Sequence, residues 1–290
     1  MGPGDTPEFG ASDGAGPRVR PSNGEVMDAI EVRGLKIAFE RQGTGPPLVL
    51  LHGFVGHSQE WRRQIDTLSD VYTVVAWDAP GAGRSTDPPE MFRLPDYADC
   101  LAAFIDALGL LRPHVVGLSF GGALALELYR RHPTIPKSLV LASAYAGWAG
   151  SLSDEVTEQR LRATLQAAEA PADQRVQSMI PGMFSSSPPA ESVEEFRGIM
   201  LEIHPAGLRA MARSLAEADL RDVLPWITVP TLLLYGDHDG RASLAVAEDI
   251  HSRIPASRLV VMPGVGHMSS VEAPERFNAE VRGFLKSVRT

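Results

Sequence analysis

The chain has 290 residues, 27 Lys and Arg against 36 Asp and Glu, and a net charge of -9. That balance, with no block of Lys or Arg anywhere, argues against a nucleic-acid partner, because phosphate contacts need a concentrated basic face. A single cysteine excludes an intramolecular disulfide. No apolar stretch reaches the roughly 18 residues of a membrane span, and the opening residues lack the charged-then-apolar pattern of a secretory signal, so a cytoplasmic protein without a membrane partner is expected.

In chain order, residues 1–24 are rich in Gly, Pro and Ser with almost nothing to bury, and a disordered tail is expected there. Val26 to Val32 and Lys36 to Glu40 suggest two antiparallel strands joined by a turn around Gly34. Pro47 to Leu51, PLVLL, is a continuous apolar run of the buried parallel type. Strands and helices then alternate: helix from Gln59 to Leu68, strand from Tyr72 to Trp77, helix from Pro95 to Leu108, strand from His114 to Gly117, helix from Phe120 to Arg131, strand from Ser138 to Ala142. Cys100, on the second of these helices among Leu101, Phe104 and Ile105, reads as a small buried hydrophobe. The alternation predicts an α/β fold, a mostly parallel central sheet with right-handed crossovers and helices on both faces.

After Ser143 the pattern changes. From Gly147 to about Asp222 only helical periodicity remains, punctuated by Pro171, Pro181, Pro188, Pro189 and Pro205, which predicts a helical cap inserted at 147–222 between two core segments, 25–146 and 223–290. Strand (Pro230 to Tyr235), helix (Ser243 to Arg253), strand (Arg258 to Met262) and helix (Pro274 to Val288) complete the core.

Gly117-Leu118-Ser119-Phe120-Gly121 fits G-x-S-x-G. With Gly and Ser at ordinary frequencies such a match arises by chance in about one chain in seven of this length, so the pentapeptide alone is weak. Its setting, strand before and helix after, is that of a sharp turn that exposes a nucleophile. A serine hydroxyl also needs a base, an orienter and oxyanion donors. For the base, His267 follows the last strand in a glycine-rich turn. His132, His204 and His251 sit on helices or their ends, and His114 enters its strand from the opposite end. For the orienter, Asp237 and Asp239 both follow the strand ending at Tyr235; the acid must clear the strand end, which favours Asp239 and leaves Asp237 to shape the turn. For the oxyanion, the candidates are the backbone N–H groups of Phe120 and of Phe54, in the turn His52-Gly53-Phe54, with His52 and Gly53 shaping that turn. The chain order Ser119, Asp239, His267 is one that such triads use.

These motifs together resemble the α/β-hydrolase fold family in its capped form: HGF at 52–54, DAPGAGRS at 78–85, GLSFGG at 117–122, GDHD at 236–239 and GVGHMSSVEAP at 264–274. The resemblance implies that the acid is the last aspartate of the G-x-x-D turn, Asp239, and that Asp78, Gly81, Gly83 and Ser85 form a structural turn. No nucleotide or zinc pattern is present, and no cofactor or metal is expected. Relatives such as haloalkane dehalogenases and epoxide hydrolases carry aspartate where Ser119 stands. Ala216 to Asp239 resembles the enol-lactonase and small-carboxylesterase branch, which implies an ester or lactone of a small, largely apolar substrate. Trp148, Met183, Phe184 and Met200 are candidate substrate contacts within the cap. The acidic excess of Ser151 to Asp222 mildly disfavours an anionic substrate. Carbon–carbon bond hydrolysis uses the same triad, but relatives of that kind often place asparagine before the serine, and Leu118 stands here. Cofactor-free perhydrolysis and a hydrolase-fold ligand sensor complete the alternatives.

Overall fold

The structure, a computed structural model, describes residues 28–288. The tail expected at 1–24 and the first two positions of the strand expected from Val26 lie outside the described residues. One eight-stranded sheet runs through the rest, in the order β1-β2-β4-β3-β5-β6-β7-β8. Its strands are β1 (Asp28–Val32), β2 (Leu35–Gln42), β3 (Pro47–Leu51), β4 (Thr73–Trp77), β5 (His114–Leu118), β6 (Ser138–Ala142), β7 (Thr231–Gly236) and β8 (Ser257–Met262). β1 and β2 form an antiparallel hairpin whose turn places Arg33 at φ 52° and Gly34 at φ 77°, the geometry of a two-residue turn matched to strand twist. From β3 to β8 every neighbouring pair is parallel.

The apolar runs read in the sequence as doubly buried divide by side-chain alternation between two cores. Val49, Leu51, Val115, Leu139, Leu141 and Leu233 face one side; Leu48, Leu50, Val116, Val140, Leu232 and Leu234 face the other. The helices are α1 (Arg62–Leu68), α2 (Leu94–Ala107), α3 (Phe120–Arg131), α4 (Asp154–Glu169), α5 (Ala172–Met179), α6 (Ala190–Leu201), α7 (Pro205–Glu217), α8 (Leu244–Arg253), α9 (Ser269–Glu272) and α10 (Pro274–Ser287). α2, α3 and α8 cover the first face through Leu101, Phe104, Leu124 and Ile250. α1 and α10 cover the second through Ile65, Leu68, Phe277 and Val281. Cys100 is fully buried in the first core, and that burial pushes its thiol up to about 11.

Apart from shifts of one or two residues at element ends, two departures from the sequence reading lie near the site. The helix expected from Gln59 begins as a tight 3-10 turn, Ser58–Trp61, because Asp78 Oδ1 holds the Ser58 N–H at 2.8 Å and His57 Nδ1 accepts from Gln59 N. A one-turn helix, α9, also precedes α10. Helices α4 to α7 all lie in the connection between β6 and β7. The two ends of that connection are pinned together: Leu220 N donates to Ala146 O at 2.9 Å and Trp148 N to Leu215 O at 2.7 Å. Among the described residues, no helix is long and apolar enough to cross a membrane.

Candidate active site

Parallel strands deliver their following loops to one edge of the sheet, and the site is built there. β5 ends at Leu118, and Ser119 follows with φ 53° and ψ -109° before α3 begins. A serine at positive φ is held by its surroundings: Ser119 N donates to Ala142 O on β6 at 2.9 Å, while Ser119 O accepts from Gly122 N and Ala123 N at 3.0 and 3.1 Å. The flanking glycines are dictated by contact. A Cβ on Gly117 would run into the carbonyl of Gly121, and one on Gly121 into the carbonyl of Leu51. The ring of Phe120 is fully buried, edge-on to Tyr97 at 5.3 Å, so this residue offers the site its amide alone.

The turn after β3 lies beside the serine, where a Cβ on Gly53 would stand 3.9 Å from that of Ser119. His52 fixes this turn: its Nδ1 donates to Gly53 O at 2.7 Å and its Nε2 accepts from Ala79 N at 2.9 Å. Burial pushes the ring's pKa down to about 4, so it is neutral and structural. Asp78, as expected, organises the neighbouring turn, taking Ser58 N and Arg84 N on its two oxygens while Ser85 Oγ donates to its carbonyl. The backbone N–H groups of Phe54 and Phe120 find no acceptor among the described residues.

His267 and Asp239 meet across the loops that follow β8 and β7. Nδ1 of His267 stands 3.0 and 2.9 Å from the two oxygens of Asp239, and both side chains are buried. Burial alone would raise the Asp239 pKa, but His267 and the N–H groups of Ala242 and Arg241, each at 2.8 Å, outweigh it and hold the carboxyl below its ordinary value. Asp239 therefore fixes the proton of His267 on Nδ1 and leaves Nε2 as the basic atom. Ser119 Oγ makes no hydrogen bond to His267 among the described residues.

Four of the remaining histidines have other side-chain partners. His114 bonds Ser138 at 2.7 Å at the far end of β5, His132 bonds Asp99, His204 bonds Asp87, and His251 bonds Ser257.

Of the four candidate substrate contacts, Trp148 packs edge-on against Phe54, ring centroids 6.1 Å apart, and both border a cavity of about 380 Å³. Met183 and Phe184 lie over the histidine loop: Met183 O accepts from Met268 N at 2.9 Å, and a Cβ on Gly266 would strike the Phe184 backbone. Met200 is fully buried in the same apolar cluster as Phe196 and Ile199, where it packs α6.

Sequence reasoning missed two buried acids. Glu60 Oε1 accepts from Gly53 N at 3.1 Å and so supports the turn that carries Phe54. Glu272 accepts from Ser185 N and Gly266 N and so joins the loop after α5 to the histidine loop. Each stands inside a quoted motif region or just beyond it, the one available signal.

A family model described as the alpha/beta hydrolase fold matches residues 46–274. The pimeloyl-(acyl-carrier protein) methyl ester esterase of Vibrio vulnificus is 30% identical over 266 residues, covering 85% of this chain and 96% of its own. 3-oxoadipate enol-lactonase 2 of Acinetobacter baylyi is 27% identical over 251 residues, covering 84% and 90%. Among solved structures, a malate-bound thermophilic esterase from Thermogutta terrifontis superposes with a TM-score of 0.84 at 31% identity, over 91% of this chain and 99% of that one.

Proposed function

The chain belongs to the α/β-hydrolase fold family, and from that premise we propose that it is a serine hydrolase that cleaves a small carboxylic ester or lactone through an acyl-enzyme. The observation that supports this most is the buried contact of His267 Nδ1 with both oxygens of Asp239, on the sheet edge that also carries Ser119. The esterase and enol-lactonase relatives, both named for breaking carboxylic ester bonds, point the same way.

In this mechanism Ser119 Oγ attacks the ester carbonyl while His267 Nε2 takes its proton. The oxyanion forms where the Phe54 and Phe120 N–H groups point, and two aimed amides at a helix start stabilise it by several kcal/mol, in order of magnitude. Asp239 stabilises the imidazolium without taking its proton. His267 then protonates the departing oxygen, the C–O bond breaks, and the alcohol leaves Ser119 acylated. Water, deprotonated by His267, attacks the acyl carbon; the proton returns to Ser119 and the carboxylic acid departs. With a lactone, the alcohol and acid ends remain one molecule.

A fluorophosphonate probe tests the nucleophile. Wild type should be labelled and Ser119→Ala should not; labelling of the alanine variant would overturn the assignment. Continuous turnover of p-nitrophenyl butyrate is expected, whereas a single stoichiometric burst would indicate a ligand sensor.

A further inference from the structure

The cavity beside Phe54 and Trp148 has an unusual wall. Arg160, on α4, and Arg241, two residues past Asp239, both line it, together with apolar surface from Met179 and Ala167. Arg160 Nη2 donates to the Arg241 carbonyl at 3.0 Å, so the two chain segments touch. Arg160 is further set by Tyr145, whose hydroxyl takes Nη1 at 2.9 Å and whose ring centroid lies 5.8 Å from the guanidinium carbon. Arg241 Nη2 is spent on the carbonyls of Met179 and Pro181, at 2.7 and 2.8 Å, while its buried Nε has no acceptor.

Neither guanidinium has a carboxylate within ion-pair distance among the described residues. Two arginines of the same inserted helices are paired, Arg162 of α4 with Glu158 at 3.2 Å and Arg209 of α7 with Glu169 at 3.0 Å. Two adjacent permanent cations with spare donors and no ion-paired carboxylate form a site for an anion, and the planar fork of arginine suits a carboxylate. The place is close to the chemistry on two sides. Phe54 supplies a candidate oxyanion amide, and Arg241 N donates to Asp239 Oδ1 at 2.8 Å.

We infer that the substrate is an ester or lactone carrying a carboxylate remote from the bond that is cut, and that Arg160 and Arg241 receive that carboxylate in this cavity. The inference rests on the hydrolase reading above and narrows its substrate class. It replaces the expectation of a largely apolar substrate with one that is apolar along its chain and anionic at its end. The acidic excess of Ser151 to Asp222 does not oppose it: Glu158, Glu169 and Glu195 each pair with an arginine that does not line the cavity. A charge count over the segment cannot separate these acids from the cavity wall.

The test compares monomethyl glutarate and monomethyl adipate with methyl valerate and methyl hexanoate, reading acid release. In wild type, kcat/KM for the acid-bearing esters should exceed that for the neutral ones by about tenfold or more. In Arg160→Gln and Arg241→Gln that ratio should fall at least about tenfold, mainly through KM, with partial recovery in Arg160→Lys. Taking a ratio cancels any general loss from a loosened cap. Calorimetric titration with adipate needs no turnover: wild type should bind it, and the double glutamine variant at least about tenfold more weakly. A wild-type ratio at or below one, or equal adipate binding by wild type and the double variant, overturns the subsite. If Ser119 is labelled and neutral esters turn over in that case, the hydrolase reading survives without it. If Ser119 is not labelled and no ester turns over, that reading fails on its own account, and the calorimetry still decides the arginine site.

Discussion

Asp237 and Asp239 are separated by one residue and hold the same neighbouring loop at two different points. Asp237 Oδ1 accepts the Gly264 N–H at 2.6 Å, and Asp239 accepts from His267 Nδ1 three residues further along. The first contact shapes a loop; the second sets a tautomer.

Asp239→Asn should therefore lower kcat by on the order of a thousandfold or more, since an amide can present its N–H to Nδ1 and turn the proton onto Nε2. Asp237→Asn keeps an acceptor for Gly264 and should stay within about tenfold of wild type. Steady-state kinetics of both variants on one neutral ester decides between them, and the reverse ranking would move the orienter to Asp237.

What the sequence made legible follows from the range of each signal. The run Pro47–Leu51 and the elbow around Ser119 are local patterns, because burial on both faces and close backbone approach act on consecutive residues. Glu60 and Glu272 were not legible, since a carboxyl beside polar neighbours such as Ser58 and Gln59, or Ser269 and Ser270, reads as a solvated helix face. Only the fold shows that their acceptors meet orphan N–H groups of distant turns. Arg160 on amphipathic α4 reads the same way. Its meeting with Arg241 spans 81 positions, a separation that no periodicity in a single sequence reports.

Glu60 gives a prediction whose sign depends on pH. Its carboxyl is buried, one oxygen has no partner, and burial pushes its pKa well above the ordinary 4.5. Above that ordinary value the unfolded chain has lost its proton while the folded chain keeps it, so folding takes up a proton and wild-type stability falls as pH rises. Glu60→Gln retains the acceptor for Gly53 N and removes the titration. It should gain stability over wild type as pH rises above about 4.5, measured by urea midpoints across the range. Glu60→Ala should be destabilised by about 1–3 kcal/mol, the cost of an unsatisfied buried donor. A pH-independent difference between wild type and the glutamine variant would contradict the assignment.

Three histidines act in the opposite direction. Burial holds His52, His57 and His114 at about 4, against an ordinary 6.5. Between those values the unfolded chain binds protons that the folded chain excludes, so the stability from keeping these rings neutral is full above about 6.5 and is lost as pH falls toward about 4. His114 tests this far from the chemistry, since it lies at the opposite end of β5 from Ser119. His114→Asn should reduce the slope of unfolding free energy against pH in that window by close to one proton, whatever its effect on absolute stability. An unchanged slope would mean that His114 does not titrate differently in the two states.

Glu272 connects the histidine loop to the loop after α5. Its two oxygens each stand 3.2 Å from Ser185 N, and one also accepts Gly266 N at 2.9 Å, the residue before His267. Replacing it with alanine leaves two backbone donors without their acceptor and cuts a side-chain tie between these loops. Glu272→Ala should cost about 1.5–3 kcal/mol in stability and lower kcat, because the residue before His267 loses its side-chain anchor to the loop after α5. Glu272→Gln keeps one acceptor oxygen, enough for Gly266 or Ser185 but not for both on separate atoms, and should fall between alanine and wild type in both measurements. Urea denaturation and ester kinetics on the same three proteins check the coupling. If stability drops while kcat is unchanged, Glu272 braces the loop without setting the position of His267.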